Sequence, residues 1–214
     1  MTRFRQRRSS RGICARVAPT LCLVGLLGLP LAARQLPPGL LERAEQGDVE
    51  AQTELGSRYY AGRGVDHDDA AAVRWIRRAA ELGHAPAEYN LGLLYFRSRG
   101  VRGDDVEAAA WYRRAAEQGY APAQGGLGYM YAYGAGVEED RVRAVMWLEL
   151  AWMGADDDFT RRLYAQQRDE LAARMHVDEQ DEGRRLARAR RRRADRGRPC
   201  PSSPAPGCRD DEHC

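Results

Sequence analysis

The amino-acid sequence predicts an all-α protein built as a solenoid of stacked helix–turn–helix repeats. The first observation is a repeated phrase: "RRAAELGHAPAEYNLG" at 77–92 returns as "RRAAEQGYAPAQGGLG" at 113–128, a step of 36 residues. Repetition at such a period is typical of arrays in which each unit buries its apolar face against the next. The second observation is that 43% of the 214 residues are hydrophobic, which is compatible with a buried core.

The same step relates positions throughout the array. The recurring sets include Gly47, Gly83 and Gly119; Leu55, Leu91 and Leu127; Gly56, Gly92 and Gly128; Tyr59, Tyr95 and Tyr131; and Trp75, Trp111 and Trp147. So many coincidences exclude chance. The phrase is therefore a building unit of the fold and not a single chemical site.

The first helix of each repeat is indicated by apolar residues spaced four apart. In the first repeat these are Ala51, Leu55 and Tyr59, which a helix places on one face. Gly62 and Gly64 follow, and glycine readily adopts the left-handed conformation that ends a helix. The sequence thus predicts a first helix that ends at this glycine pair.

The second helix begins after an aspartate. The carboxylate of Asp68 can cap free backbone N–H groups and favours the positive end of the helix dipole. Ala72, Trp75 and Ala79 then recur at spacings of three and four, and Gly83 ends the helix. We expect the small residues to lie where the helices approach and the tryptophan to fill the space between them.

These residues form the pattern "GdxxAqxxLGxxYxxGxGVxxDxxxAxxWxxxAAexG", which resembles the Sel1-like repeat, a relative of the tetratricopeptide repeat. The resemblance covers residues 40–156. It implies a right-handed α-solenoid of stacked Sel1-like repeats with a C-terminal capping helix. The chain departs from the family pattern at Ser98, which replaces a loop glycine, and at Gly125-Gly126, which we expect to loosen the first helix of the third repeat.

The predicted segments follow from these boundaries. In chain order they are a signal peptide (1–33), an N-terminal half repeat (34–47), Sel1-like repeats (48–83, 84–119 and 120–155), a helical C-terminal cap (156–193) and a tail containing cysteine and proline (194–214). The tail is predicted to be disordered because it has too little apolar content to pack.

Residues 1–33 have the layout of a secretory signal peptide. A basic start precedes an apolar run from Leu21 to Leu31, and small residues follow at Ala32 and Ala33. The run is shorter than the roughly 20 apolar residues that a membrane-spanning helix needs. We expect a protein exported to the periplasm or secreted, with an uncleaved N-terminal anchor as the alternative.

Three cysteines remain after removal of such a peptide, and all lie in the tail. In an oxidising compartment the sequence permits a disulfide between Cys200 and Cys208, with Cys214 free or paired between chains. The spacing of these residues fits no structural zinc pattern. We predict no metal ligands and no cofactor.

Charge is distributed unevenly along the chain. Residues 34–183 carry 18 Arg against 27 acidic residues, whereas residues 184–214 carry ten Arg against four. The Arg-rich run at 184–198 can attract an anionic membrane surface or an acidic partner. A nucleic-acid partner is not expected, because an exported protein seldom meets nucleic acid.

The sequence contains no motif that supports catalysis. It lacks a Walker loop, a Gly-x-Ser-x-Gly elbow and a His-Glu-x-x-His pair. We therefore expect no catalytic residues. The enzymatic alternative rests on resemblance alone: some secreted members of the family have been proposed to bind or hydrolyse β-lactams, although they carry paired cysteines within the repeats and this chain has none there.

A binding face is predicted on the first helices, which line the concave surface in related repeats. The candidates differ from repeat to repeat while the packing positions do not; they are Thr53, Ser57, Tyr60, Tyr89, Leu93, Phe96, Tyr129 and Ala132. Their aromatic members suit the anchoring of a peptide or helix, the alternative being that they pack against the adjacent first helix. The sequence thus favours a non-catalytic protein-interaction scaffold in the cell envelope, with tethering through the Arg-rich segment as a further alternative.

Overall fold

The computed structural model describes residues 36–196, and this part of the chain contains helices and turns but no strand. The helices are α1 (Leu40–Glu45), α2 (Val49–Ala61), α3 (Asp69–Glu81), α4 (Ala85–Phe96), α5 (Asp105–Glu117), α6 (Ala121–Tyr133), α7 (Arg141–Gly154), α8 (Asp158–Ala172) and α9 (Val177–Arg196). The predicted all-α fold is confirmed.

The helices stack in the order of the sequence. The pairs α2 with α3, α4 with α5 and α6 with α7 each form one helix–turn–helix unit, and successive units meet through α3 with α4 and α5 with α6. Helix α1 packs against α2 at the start of the array. The three units lie within the predicted repeats at 48–83, 84–119 and 120–155, so the solenoid is built from the sequence repeat.

A capping aspartate and a left-handed residue shape the turn inside each unit. The carboxylates of Asp68, Asp104 and Asp140 accept hydrogen bonds from backbone N–H groups at the start of α3, α5 and α7. Gly62 ends α2 with φ of 65°. In the next unit the equivalent residue is Ser98 at φ of 54°, a conformation that few residues with a side chain adopt.

Each unit closes around a glycine of its first helix. The glycine faces the residue that follows the repeat tryptophan; these pairs are Gly56 with Ile76, Gly92 with Tyr112, and Gly128 with Leu148. A Cβ atom at Gly92 would lie 2.8 Å from Cδ1 of Tyr112. The two helices can approach because no side chain stands between them at this point.

The structure corrects the expected role of the repeat tryptophan. Trp75 and Trp111 are half-buried, and the residue that follows each of them fills the space between the helices. The guanidinium carbon of Arg78 lies 4.8 Å from the Trp75 ring centroid, and that of Arg114 lies 4.5 Å from the Trp111 centroid. These tryptophans therefore form an outer layer in which a cation covers each indole face.

The C-terminal cap, which the sequence predicts to be helical over 156–193, contains two helices. Both α8 and α9 pack against α7, and α9 continues to Arg196, beyond the boundary predicted at 193. Gly183 permits the approach of α9, since a Cβ atom there would lie 2.9 Å from the carbonyl oxygen of Val142. Arg190 then lies 4.6 Å from the Trp147 centroid, so α9 supplies the cation that the first two repeats carry on the same helix as the tryptophan.

Helices long and apolar enough to cross a membrane are absent from residues 36–196. The signal peptide predicted at 1–33 and the pair Cys200 and Cys208 lie outside the described residues. Both therefore stay predictions.

Candidate functional site

A groove lies between α4 and α8, with α6 and part of α5 beneath it, and has a volume of about 430 Å³. Leu93 and Phe96 form the α4 wall, Leu163 and Gln167 form the α8 wall, and Tyr129 projects from α6 between them. We call this surface the aromatic groove. Its walls and centre come from α4 and α6, the first helices of the second and third repeats, and from α8 of the cap.

Four predicted binding residues meet in the aromatic groove. Tyr89, Leu93, Phe96 and Tyr129 all line it. The ring centroids of Phe96 and Tyr129 are 6.0 Å apart with an angle of 82° between the ring planes, an edge-to-face arrangement that aromatic pairs favour. Both side chains stay accessible, at 36% and 44% exposure, and give the groove an apolar rim.

The aromatic surface extends further than the sequence predicts. Tyr133 lies 4.6 Å from Tyr129 between ring centroids and lines a second cavity of about 430 Å³. The two cavities share Tyr129 and Gln167, so they adjoin at these side chains. The signal for Tyr133 was available in its position, because residues four apart share a helix face.

Thr53 and Ser57 do not form part of the groove. The prediction that Thr53 is exposed on a binding face is wrong. Thr53 is buried at 8% exposure, and its hydroxyl donates to the Val49 carbonyl oxygen at 2.7 Å. Nδ1 of His84 lies 2.8 Å from the same hydroxyl. Since the single hydroxyl hydrogen goes to Val49, His84 is the donor of this second bond. Ser57 donates to the Thr53 carbonyl oxygen of the same helix at 2.8 Å, and its hydroxyl oxygen lies 3.5 Å from Nδ2 of Asn90 on α4. Both side chains therefore contact the next repeat.

Tyr60 and Ala132 lie at the margins of the site. The Tyr60 hydroxyl accepts a hydrogen bond from Nη1 of Arg97 at 3.2 Å, and the guanidinium carbon of Arg99 lies 5.3 Å from its ring centroid. Ala132 lines the second cavity and packs against the core of the third repeat. Tyr60 therefore reaches the groove only through Arg97, which lines it.

The glycine pair of the third repeat has a packing role. Gly125 and Gly126 lie within a continuous α6, which corrects the expectation of a loosened helix. A Cβ atom at Gly125 would overlap the ring of Tyr164 from α8, and one at Gly126 would lie 3.2 Å from Cε2 of Tyr112. The absence of side chains here makes room for two tyrosine rings at the base of the groove.

A buried ion pair holds α8 in place. Nη1 of Arg168 lies 2.7 Å from Oε2 of Glu149 on α7, and the two side chains are exposed by only 15% and 9%. The guanidinium carbon of Arg168 also lies 5.7 Å from the ring centroid of Trp152. This arrangement fixes one wall of the groove to the third repeat.

Sequence reasoning missed the contribution of α8. Leu163, Tyr164 and Gln167 all line the groove, although their segment is predicted only to close the array. Their spacing of three and four residues indicates one helix face. It does not tell which neighbour that face contacts, because the cap departs from the repeat pattern.

Three tyrosine rings pack together beside the groove, and a fourth tyrosine lines it. The ring centroid of Tyr89 lies 5.5 Å from that of Tyr112 and 5.7 Å from that of Tyr120, and Tyr164 lines the same groove. Burial raises the pKa of Tyr89, Tyr112 and Tyr120, and it raises the pKa of Tyr164 to about 12. All four hydroxyl groups thus keep their protons at neutral pH.

The chemistry of the lining suits binding. Arg97 is the charged side chain of the aromatic groove, and no Ser, Cys, His, Asp or Glu lines it. The lining thus supplies no nucleophile with an adjacent general base. Elsewhere in residues 36–196, no group of three or more His, Cys, Asp or Glu side chains is placed to hold a metal ion.

The family comparison matches the Sel1 repeat at residues 49–84, 85–120 and 121–152. These ranges agree within a few residues with the units seen in the structure. A comparison with curated protein sequences found no match.

Two solved structures are similar to this chain. The crystal structure of a Sel1 repeat protein from Oxalobacter formigenes is 40% identical, with a TM-score of 0.52, over 59% of this chain and 95% of that one. The structure of c5321, described as a protective antigen present in uropathogenic Escherichia coli strains and displaying an SLR fold, is 29% identical with a TM-score of 0.65. This second likeness covers 79% of the present chain and 37% of c5321. With the repeat match, the fold and the identity to the Oxalobacter protein in agreement, the chain belongs to the Sel1 repeat family.

Proposed function

We propose that this protein is a non-catalytic scaffold of the cell envelope that binds a peptide segment of a partner protein in the aromatic groove. Sel1 repeat proteins are typically protein-interaction scaffolds, which supports the coarser part of this proposal. The observation that carries the finer part is the exposed Phe96–Tyr129 pair, which faces Leu163 across the groove.

The dimensions of the groove fit this role. Its volume of about 430 Å³ is within the range of sites that take a few side chains. Aromatic residues at such a site provide a large contact area at low cost in conformational entropy. A peptide that places one or two apolar side chains between α4 and α8 would bury the exposed faces of both rings.

The experiment uses a photo-crosslinking residue in place of Tyr129. Irradiation of the exported fraction and mass spectrometry of the product identify the partner segment, which is then synthesised as a peptide. We expect the combined change Phe96→Ser and Tyr129→Ser to weaken binding of this peptide at least about tenfold, as is typical of aromatic anchors. Both residues are exposed, so the variant should keep its helical circular dichroism.

Phe159 provides the matched control. It lies on α8, is 73% exposed and lines neither cavity. Phe159→Ser removes an equally apolar surface outside the groove and should leave the affinity unchanged. Equal loss in both variants, or no loss in the groove variant, would contradict the assignment of the site.

The envelope location is a proposal that rests on the sequence of residues 1–33. Cleavage after Ala33 would give a mature chain that begins at Arg34. N-terminal sequencing of the protein from the periplasmic and culture fractions tests this. An intact N-terminus in the membrane fraction would support the anchored alternative, and an intact N-terminus in the cytoplasmic fraction would refute export.

The outer face of α9 supports a second role, contact with an anionic membrane surface. Gly183 and Ala187 face α7 and are buried. The opposite side of the helix carries exposed arginines, which are Arg185, Arg188, Arg192 and Arg196. Near an anionic membrane each such charge contributes about 1 kcal/mol. This stripe belongs to the run at 184–198 and points away from the array.

Vesicle flotation tests this role. We expect the protein to float with vesicles containing phosphatidylglycerol and not with pure phosphatidylcholine, and the combined change of Arg188, Arg192 and Arg196 to Gln to abolish flotation. High salt should weaken the attraction. Binding that is the same for both vesicle types, or unchanged in the variant, would exclude an electrostatic contact through α9.

A further inference from the structure

Three tyrosine side chains form the inner surface of the aromatic groove. Tyr89, Tyr112 and Tyr164 come from α4, α5 and α8 and all line the groove. The rings of Tyr89 and Tyr112 are stacked with centroids 5.5 Å apart. Gly125 leaves the space that the Tyr164 ring occupies. Three different helices thus direct phenol groups to one place.

These hydroxyl groups are available to a ligand. Hydroxyls of other tyrosines in the array accept hydrogen bonds from arginines. In the part of the chain that the structure describes, those of Tyr89, Tyr112 and Tyr164 have no hydrogen-bonding protein partner. A tyrosine hydroxyl is protonated at neutral pH, so each has an O–H to donate. Water reaches these hydroxyls, since the buried side-chain polar atom without a partner among residues 36–196 is Oε1 of Gln52. A ligand would take the place of that water.

The charged side chain that lines this surface is a cation, while Asp157, outside the lining, contributes to the raised pKa of Tyr164 after the larger effect of burial. Arg97 lines the groove, and no acidic residue does so. Its charge also acts on the cluster itself, since it opposes the burial that raises the pKa of Tyr89 and Tyr112. The hydrogen bond from Arg97 to the Tyr60 hydroxyl involves a neutral acceptor, so the guanidinium charge stays uncompensated there.

We propose that the aromatic groove contains a carboxylate subsite, in which Arg97 and the hydroxyls of Tyr89, Tyr112 and Tyr164 bind an Asp or Glu side chain of the bound peptide. The proposal rests on the peptide-binding function and specifies the chemistry of its ligand. Charge-assisted hydrogen bonds of the O–H···O⁻ and N⁺–H···O⁻ kinds are about twice as strong as neutral ones. The adjacent Phe96–Tyr129 pair then takes an apolar neighbour of that residue.

The carboxylate belongs to a side chain and not to the end of the peptide. The groove is open to solvent and adjoins the second cavity at Tyr129 and Gln167, so a bound peptide has room to extend beyond the subsite. An internal acidic residue flanked by apolar ones is the sequence pattern that fits both parts of the surface.

The first test is selection from a library of random 12-residue peptides displayed between two fixed flanking segments, which removes free termini. We expect the selected peptides to share an acidic residue next to an apolar one. Selection of apolar peptides without an acidic residue would leave the peptide-binding function intact and overturn the carboxylate subsite. Failure to enrich any peptide over a Phe96→Ser, Tyr129→Ser variant would overturn both.

The second test is a double-mutant cycle on one selected peptide. Replacing its acidic residue by the amide should weaken binding about tenfold, the loss expected for a charged hydrogen-bonded group. With Arg97→Gln protein the same replacement should cost clearly less than in the wild type, because only the tyrosine hydroxyls then distinguish the acid from the amide. Full additivity of the two changes would show that Arg97 does not contact the carboxylate.

Conservative variants test the tyrosines without disturbing the fold. Tyr89→Phe and Tyr164→Phe keep the rings and remove only the hydroxyls, so each should weaken the acidic peptide severalfold and leave its amide counterpart unchanged. Phe159→Tyr serves as the control outside the groove. Peptides with free and amidated ends separate a terminal carboxylate from the side chain: a loss of binding on amidation would assign the subsite to the peptide terminus and refute the side-chain form.

Discussion

The first and the third repeats use the same two positions of the repeat in opposite ways. In the first repeat, Thr53 fills the position with a short side chain that is hydrogen-bonded to His84 of the next unit at 2.8 Å. In the third repeat the equivalent residue is Gly125, and the ring of Tyr164 from α8 takes the space. The first junction is therefore closed by its own residues, whereas the third is open to a side chain from outside the repeat.

The junction between the second and third repeats is intermediate between these two in the kind of side chains that meet there. At the same positions Tyr89 of the second repeat and Tyr120 of the third meet edge to face, with ring centroids 5.7 Å apart. From the first repeat to the third, the residue at the first of these positions changes from Thr53, with a polar contact, to Tyr89, with an aromatic one, and then to Gly125, which leaves a gap. The groove thus arises from differences between the repeats at these two positions of a repeated frame, and it can be altered without changing the frame.

The largest effect is expected from closing the gap. Gly125→Val places a branched side chain against the Tyr164 ring, and we expect a loss of about 3 kcal/mol in the free energy of unfolding, measured by urea denaturation. Adding Tyr164→Ala should recover part of this loss, because the two changes act on the same space. A Gly125→Val protein as stable as the wild type would show that α8 does not depend on this contact.

The attachment of α8 provides the next test. Glu149→Leu leaves Arg168 with the exposed Asp169 of its own helix as its acidic partner. We expect a loss of about 2 kcal/mol in unfolding free energy, below the range for fully buried pairs because Arg168 keeps this partner and part of its surface in water. At the earlier junction, Nη2 of Arg77 donates to the Tyr95 hydroxyl at 2.9 Å. Tyr95→Phe should cost about 1 kcal/mol or less. Similar losses in both variants would refute a special role for the ion pair.

A smaller effect is expected from the first junction. Thr53→Val keeps the shape of the side chain and removes the hydroxyl, so His84 loses its partner and stability should fall by about 1 kcal/mol. Tyr89→Phe at the equivalent position should change stability very little, since the Tyr89 hydroxyl has no protein partner among residues 36–196. Thermal or urea unfolding of the two variants compares the junctions directly, and the opposite ranking would contradict the assigned roles.

The smallest effect appears only in alkali. Burial raises the pKa of Tyr164 from 10.0 to about 12, so the folded protein holds this proton more tightly than the unfolded chain. Stability from this group is complete below pH 10 and falls as the pH rises towards 12, because the unfolded chain ionises first. Tyr164→Phe should reduce the fall in urea midpoint over this range without changing it at pH 7. An identical alkaline fall in both proteins would show that Tyr164 is not protected.

The repeat frame could be predicted from sequence because it is local. Helix faces, capping aspartates and terminal glycines depend on spacings within a few residues, and Asp68 and Gly62 take the predicted roles. The aromatic rim could also be predicted from the sequence, since Phe96 and Tyr129 occupy positions that the period places on the first helices of adjacent repeats. Whether these rings carry binding, as the sequence predicts, stays a matter for experiment.

Other features depend on contacts that the period does not encode. The half-buried Trp75 and the central Ile76 are neighbours in sequence, and only the packing of two helices decides which of them points inwards. Burial of Thr53 depends on His84, thirty-one residues away. The contribution of Tyr164 required knowledge of where the cap returns, which no spacing inside the repeats indicates.

The placement of α9 has a consequence for local unfolding at the C-terminal end of the array. Most packed helix pairs in the array are neighbours in sequence. Helix α9 instead packs against α7, from which it is separated in sequence by α8. A linear array opens from its ends, and a terminal helix exchanges its amide hydrogens quickly. With α9 attached to α7, the segment containing α8 is a closed loop that cannot peel away one helix at a time. The wall of the groove should therefore exchange its amide hydrogens together with the third repeat and slowly, as an interior element does.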